Sequence, residues 1–424
     1  MAKQQYQSVR GMPDVLPEQQ PLFRHVLDTF WRLTDQAGFV PIQTPIVEDK
    51  GVFVRAVGEG TDVVDKEMYV FDDRSGNQIA LRPEPTAGVV RSYIQHGMGS
   101  LPQPVKLSIA GPMFRYDRPQ AGRQRQFHQV GVEMIGEAAA SADAQTIILA
   151  HRFYKSLGLT QLTLHINSIG DAVCRPKYKK VLIEYLEAHK KQLCAIDQER
   201  LAKNPLRVLD CKELSCQAVI AEAPQTLNHL CDACRDHFRG VLEYLDSLDI
   251  AYELNPLLVR GLDYYTRTVF EFQGLREGAQ SSLGGGGRYD GLVELLGGQP
   301  TPAVGFGIGV ERVMLELEAE NVLPEPTKPV DVFVASLGEP ARLAAFKLIE
   351  QLLDAGVGVA GAVDKNGIAS QLGRADRLGV PHAVIIGQKE VMEQMVILRD
   401  MGSGAQEMIP LNKIVSDLQK RFKN

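Results

Sequence analysis

No stretch of this 424-residue chain approaches the roughly eighteen consecutive apolar residues of a membrane-spanning helix. The opening residues, MAKQQYQSVR, lack the apolar core of a secretory signal, so no membrane association and a cytoplasmic address are expected. Positive charge is not in excess either. The formal net charge is −6, so no global field draws nucleic acid, and any such contact falls to local arginine clusters. Residues 330–424 hold eleven basic and eleven acidic side chains, which places the whole deficit on residues 1–329. Two familiar phosphate-binding loops are missing as well. The run LGGGGRYDGL, Leu283 to Leu292, has no Gly-Lys-Ser/Thr after it, and GFGIGVER, Gly305 to Arg312, brings its third glycine one place too early for a dinucleotide fingerprint. Four consecutive glycines nevertheless imply backbone packed closely against a ligand or a neighbouring strand.

Cysteine is scarce: Cys174, Cys194, Cys211, Cys216, Cys231 and Cys234 are the full set. In a cytosolic chain they are not expected to pair as disulfides. The last four fall as C-x4-C and then C-x2-C. That spacing suits a structural zinc held by four thiolates, or equally a set of buried and surface thiols.

What is present is a soluble, globular composition long enough for two or three domains, with 44% hydrophobic and 23% charged residues. Helical spacing of Leu22, Val26, Phe30 and Leu33 predicts a helix over 19–37, closed by Gly38. Phe39 to Glu48 is an extended apolar run, and Pro41 and Pro45 confine it to an edge or an interface. A short hairpin, 68–71 with 79–82, precedes Glu84 and Thr86 at a strand-to-helix junction, where Thr86 suits a helix cap as well as a ligand contact. A helix is expected over 142–157 and a strand over 162–167. Residues 171–254 read as a helical, lysine-rich insertion, and PEPTKP supplies a linker at 324–329. Beyond it, DVFVAS, GVGVAGAV and PHAVIIG alternate with helical runs, which predicts a small α/β domain with a largely parallel sheet over 330–424.

The most informative stretch is LSIAGPMFRYDRPQAGRQRQFHQVGVEMIG, Leu107 to Gly136. It reads as two strands around a polar loop in which Pro119 and Gly122 stop a helix. Period-2 alternation turns Val130, Val132 and Met134 into a core and leaves Phe127, Gln129, Gly131, Glu133 and Ile135 on the other face. Polar groups flanking a bare glycine suit a bound small molecule. Arg115, Arg118, Arg123 and Arg125 attract phosphate, unless they only pair with Asp117 and other acids on a solvated hairpin. Arg260, Tyr264 and Tyr265, in NPLLVRGLDYYTRTVFEF, are further candidates, as is Arg312 at a helix start.

Taken together, these segments resemble the class II aminoacyl-tRNA synthetases, and within them the bacterial-type histidyl-tRNA synthetases. The run ending at Pro45 is similar to the first class motif, the hairpin to the second, and GFGIGVERVML to the third; LVRGLDYYTRTVFEF and GGGGRYDGLV resemble two boxes special to the histidine enzymes. The resemblance implies an α+β catalytic core with a mostly antiparallel sheet over 1–170 and 255–323, a helical insertion domain over 171–254, and a C-terminal anticodon-binding domain over 330–424. It implies activation of L-histidine with ATP and Mg2+, transfer to histidine tRNA, and a homodimer. Arg115, Arg260 and Arg312 would then act on the ATP phosphates. Glu84, Thr86, Gln129, Glu133, Tyr264, Tyr265 and Tyr289 would hold histidine, and Arg118 and Gln120 would meet the tRNA acceptor end. Pro85 departs from the glycine usual there and removes a backbone N–H. The alternative is a non-catalytic, histidine-binding regulatory paralogue that partners ATP phosphoribosyltransferase. Such paralogues typically lack the C-terminal domain and lose catalytic arginines, whereas Arg115, Arg260, Arg312 and the full tail are present here.

Overall fold

In the computed structural model, residues 6–58, 61, 63–275, 281–324, 330–361 and 367–422 are described. The chain divides into two units, Met1–Pro324 and Glu325–Asn424. In chain order the strands of the first unit are β1 (Val40–Pro41), β2 (Val47–Asp49), β3 (Val70–Asp72), β4 (Gln78–Leu81), β5 (Val105–Phe114), β6 (Gln126–Ile135), β7 (Thr163–Ser168), β8 (Glu253–Leu254), β9 (Thr266–Gln273), β10 (Ser282–Arg288) and β11 (Ala303–Gly309). Eight of them form one sheet in the order β1-β5-β6-β11-β10-β9-β7-β8. Only its two outermost pairs are parallel, β1 with β5 and β7 with β8, so the core sheet is mostly antiparallel.

The alternation of β6 explains how this sheet is covered. Val130, Val132 and Met134 pack with Leu22, Val26 and Phe30 of the helix Gln20–Gln36, and with Ile147, Ala150 and Phe153 of the helix Ala140–Ser156. Val310, Val313 and Leu317 of the helix Val310–Ala319 close the same cluster. Phe30 and Phe153 are each 1% exposed, and truncating either to alanine is expected to cost about 3–5 kcal/mol. The opposite face of β6 is left for other work.

The extended run at Phe39 to Glu48 is not one strand. Pro41 ends β1 at the sheet edge, and β2 joins β4 in a separate sheet of order β2-β4-β3. Prolines 41 and 45 have no N–H to donate to a ladder, and only Val40 and Pro41 stay in register with β5, opposite Leu107 and Ser108.

The expected insertion packs in two parts. Helices Arg175–Ala188, Ala195–Lys203 and Leu214–Ala221 enclose their own core around Tyr178, Leu182, Leu201 and Val219. The helix Asp232–Asp246 instead turns Phe238, Val241 and Leu245 into the main core, and β8 pairs with β7 of the large sheet. Its apolar stripe at i, i+3 and i+7 is what draws this helix there.

In the second unit the sheet order is β13-β12-β14-β15-β16, with β12 (Val332–Ser336), β13 (Val359–Gly361), β14 (His382–Ile386), β15 (Met395–Asp400) and β16 (Gln406–Pro410). The first three strands are parallel as expected, but β15 and β16 add an antiparallel hairpin, so the sheet is mixed. The Asp400 carboxylate accepts from the Ser403 N–H at 2.7 Å and Gly404 takes φ +75, which closes that turn. Apart from Pro324, the linker expected at 324–329 lies outside the described residues. Among the described residues, no helix is long and apolar enough to cross a membrane.

Candidate active site

The free face of the large sheet is floored by glycine. Register places Gly131, Gly307, Gly285 and Glu271 in one row across β6, β11, β10 and β9, with Glu133, Gly305 and Gly287 in the next. A Cβ on Gly131 would meet the Phe306 carbonyl oxygen at 2.5 Å, and one on Gly287 would meet the Tyr265 ring at 3.0 Å. Gly307 is different: its nearest neighbour would be Gln129 Nε2 at 3.6 Å. The floor is bare there because nothing but ligand space lies above it.

Over this floor lies a cavity of about 520 Å³. Arg115, Arg260 and Arg312 all line it, although they come from the end of β5, the loop before β9 and the helix after β11. Each is fixed by its neighbours. Arg115 Nε donates to the Pro83 carbonyl at 2.9 Å, and its guanidinium lies 5.5 Å over the Phe127 ring. Arg312 donates to the carbonyls of Gly122 at 2.9 Å and Ser282 at 2.7 Å. Arg260 forms an ion pair with Glu271. Burial lowers the Arg312 pKa from its ordinary value, and the positive charges of Arg115, Arg123 and Arg260 lower it further. Like charges gathered in a half-closed space repel one another, and a polyanion relieves that repulsion.

Glu84, Thr86, Gln129, Tyr264 and Tyr265 line the same cavity. The Glu84 carboxylate accepts from the backbone N–H groups of Thr86 and Ala87, both at 2.8 Å, and from the Tyr264 hydroxyl at 3.4 Å. Glu84 therefore caps the helix Thr86–Gln95, and Thr86 does not. Pro85 sits at the cap position, and its side chain has no acceptor, which leaves the two following amides to Glu84. Burial raises the Glu84 pKa, and those amide bonds partly offset the rise. Gln129 Oε1 is buried without a hydrogen-bond partner, an acceptor available to a bound ammonium group.

Glu133 and Tyr289 are brought to the site but lie behind its wall rather than on it. The Thr86 hydroxyl donates to Glu133 Oε1 at 2.6 Å, and the Tyr289 hydroxyl donates to Glu133 Oε2. Burial pushes the Glu133 carboxyl up to about 8. Arg118 and Gln120 stand apart, exposed at the hairpin tip, where Gln120 and Arg123 exchange backbone hydrogen bonds. Arg123, one of the four hairpin arginines expected to attract phosphate, also lines the cavity, whereas sequence alone gave Glu271 no role. The alternation of Phe270 and Phe272 into the core, applied to β9 as it was to β6, picks out Glu271.

The four cysteines read as one zinc set do not converge. Cys231 and Cys234 meet Cys174 and Asp171, whereas Cys211 and Cys216 meet Cys194 and Asp197. The helix carrying Cys216 packs in the insertion's own core and the helix carrying Cys234 packs toward the main sheet, which separates the pairs.

The family description for histidyl-tRNA synthetase matches residues 11–313, and that for an anticodon binding domain matches residues 331–421. The histidine–tRNA ligase of Dehalococcoides mccartyi is 48% identical over 98% of this chain and 100% of its own length. That of Pelotomaculum thermopropionicum is 45% identical over 97% of each. The crystal structure of apo S. aureus histidyl-tRNA synthetase superposes with a TM-score of 0.83 at 35% identity, covering 98% of this chain and 100% of that one. With its fold and its full length matched in this way, the chain belongs to the histidyl-tRNA synthetase family.

Proposed function

We propose that the protein activates L-histidine with ATP to histidyl-adenylate and transfers the histidyl group to the 3′ end of histidine tRNA. The observation that carries this reading is the convergence of three separately positioned arginines and a polar amino-acid pocket over one glycine floor. In the first step a histidine carboxylate oxygen attacks the α-phosphorus of ATP and pyrophosphate leaves. In the second a ribose hydroxyl of the tRNA attacks the carbonyl carbon and AMP leaves. Such phosphoryl chemistry depends on positioning and charge neutralisation rather than on a protein nucleophile. Arg115 and Arg260 neutralise charge developing at the α-phosphate, and Arg312 holds the terminal phosphate. Mg2+ would accompany ATP and offset the charge of its phosphates, held on the protein side by carboxylates. Asp117 and Glu311, which line the cavity beside Arg123 and Arg312, are the carboxylates suited to it.

Gln129, Thr86 and Glu84 hold the histidine ammonium. Tyr265 reads the imidazole from the cavity wall, with Tyr264 packed on it at 4.7 Å between ring centres. Glu133 acts on the imidazole from beneath, through the Thr86 and Tyr289 hydroxyls it holds. A pocket that hydrogen-bonds both ring nitrogens rejects apolar amino acids strongly. Arg118 and Gln120 at the exposed hairpin tip meet the acceptor end, and the C-terminal unit reads the anticodon. The protein works as a homodimer: Val40, Ile46 and Val47, at the edge strand and just beyond, are 62%, 42% and 40% exposed, apolar surface suited to a second copy. The names of the close relatives and the anticodon-domain match favour ligation over a regulatory role.

The test is pyrophosphate–ATP exchange with each amino acid in turn and no tRNA. Exchange is expected with histidine alone. Histidine binding without exchange would instead support the regulatory reading.

A further inference from the structure

All six cysteines of the chain gather in two clusters of the same make-up, three thiols and one aspartate. One is Asp171, Cys174, Cys231 and Cys234; the other is Cys194, Asp197, Cys211 and Cys216. In each, the four donor atoms lie within 4.8 Å of one another. We infer that the protein carries two tetrahedral Cys3Asp zinc sites, one at the root of the helical insertion and one within it.

The distances suit a shared ion. A tetrahedron with Zn–S of about 2.3 Å has S···S edges of roughly 3.8 Å and slightly shorter S···O edges. Cys174 Sγ lies 3.8 Å from Cys234 Sγ and 3.6 Å from Asp171 Oδ1, and Cys194 Sγ lies 4.0 Å from Cys211 Sγ. A disulfide needs sulfurs about 2.05 Å apart, and all six thiols are free. Each cluster is also built as metal knuckles are, from two short loops. Asp171-x2-Cys174 faces Cys231-x2-Cys234, and Cys194-x2-Asp197 faces Cys211-x4-Cys216.

The surroundings repeat between the two. Backbone N–H groups donate to sulfur, from Asp171 to Cys174 at 3.4 Å, from Cys194 to Cys216 at 3.1 Å and from Glu213 to Cys211 at 3.5 Å. Such bonds stabilise thiolate over thiol. Each aspartate gives one oxygen to an arginine, Asp171 to Arg267 at 3.4 Å and Asp197 to Arg200 at 3.2 Å, as outer partners that orient a ligating carboxylate do. Asp197 is fully buried, and its other oxygen, Oδ2, has no hydrogen-bond partner. That carboxylate lies among three thiols, whose protons a bound cation would replace. The second site fastens the segment that presents Arg200, Arg207 and Asp210 to the active-site cavity.

Full-length protein, produced with zinc supplied and then desalted, is expected to hold about two zinc ions per chain by elemental analysis. Cys234→Ser and Cys216→Ser should each retain about one, and the double variant almost none. Because a serine variant can fold poorly for other reasons, wild-type apoprotein is also to be loaded with Co2+ alone. The d–d bands of tetrahedral cobalt, with a thiolate charge-transfer band that saturates at about two ions, are expected. Less than about a tenth of an equivalent of zinc, together with a cobalt spectrum lacking thiolate charge transfer, overturns the inference. Neither measurement depends on histidine activation.

Discussion

Arg260 holds opposing roles at the scale of one side chain. It is half-buried, and the loss of water disfavours its charge, yet Glu271 pairs with it and its pKa is raised on balance. A cation already held in place meets developing negative charge with little reorganisation. Arg260→His is therefore expected to leave histidine binding near the wild-type level and to reduce the rate of adenylate formation by about 10²-fold or more. Single-turnover formation of adenylate measures this, and an unchanged rate removes Arg260 from the reaction. Glu133 gives a second expectation. Its carboxyl ordinarily titrates near 4.5 and is pushed up to about 8 in the fold, by burial first, against the hydrogen bonds from Thr86 and Tyr289. Below the ordinary value both folded and unfolded states hold the proton. Between there and about 8 only the folded state does, so this group's contribution to stability is lost as pH rises across that window. Glu133→Gln keeps a donor and an acceptor but cannot ionise. Its melting temperature is expected to fall less steeply from pH 5 to pH 8 than that of the wild type. Superimposable pH profiles for the two proteins would rule this out.

At the scale of strands and helices, the glycine floor separates substitutions that block the site from those that break the fold. A side chain on Gly307 enters open cavity, with its Cβ 3.6 Å from Gln129. Gly307→Val is expected to abolish histidine-dependent exchange while moving the melting temperature little. A Cβ on Gly131 meets backbone at 2.5 Å, so Gly131→Ala is expected to destabilise by about 1–3 kcal/mol. Thermal melts beside exchange assays distinguish the two, and equal destabilisation would mean Gly307 is not open. The hairpin of β5 and β6 was legible because alternation is a local signal, and Val130, Val132 and Met134 lie in the core it predicted. The split of Phe39 to Glu48 between two sheets was not, since sequence shows that prolines interrupt a ladder but not where the chain goes next. The hairpin of β15 and β16 was passed over because its alternation is partial, with Gln406, Glu407 and Met408 all exposed. Cavity-lining positions were read mainly from motif resemblance. What sequence hid was long-range convergence: Cys174 lies 60 positions from Cys234 yet 3.8 Å away, and no local spacing announces that.

At the scale of the whole chain, the two units differ in what holds them together. Residues of the first unit supply the cores on both faces of the large sheet and every residue named in the cavity. The second has two clusters of its own, one around Val332, Leu348 and Leu398 and one around Phe333, Ala375 and Ala383. A unit that buries its own apolar surface does not need its neighbour in order to fold. Adenylate formation requires only ATP, histidine and the cavity, whereas transfer also requires the tRNA to be recognised. A chain ending at Pro324 is therefore expected to keep histidine-dependent pyrophosphate exchange within several-fold of the full-length rate. Its charging of histidine tRNA should fall by orders of magnitude, through tRNA binding rather than adenylate chemistry. The comparison needs both assays on one preparation, with circular dichroism to establish that the shortened chain is folded. Loss of exchange from a folded, shortened chain would place part of the activation machinery in the second unit. Retained charging would mean that the anticodon-type domain contributes nothing to tRNA selection, leaving that task to the exposed hairpin tip and the inserted helices.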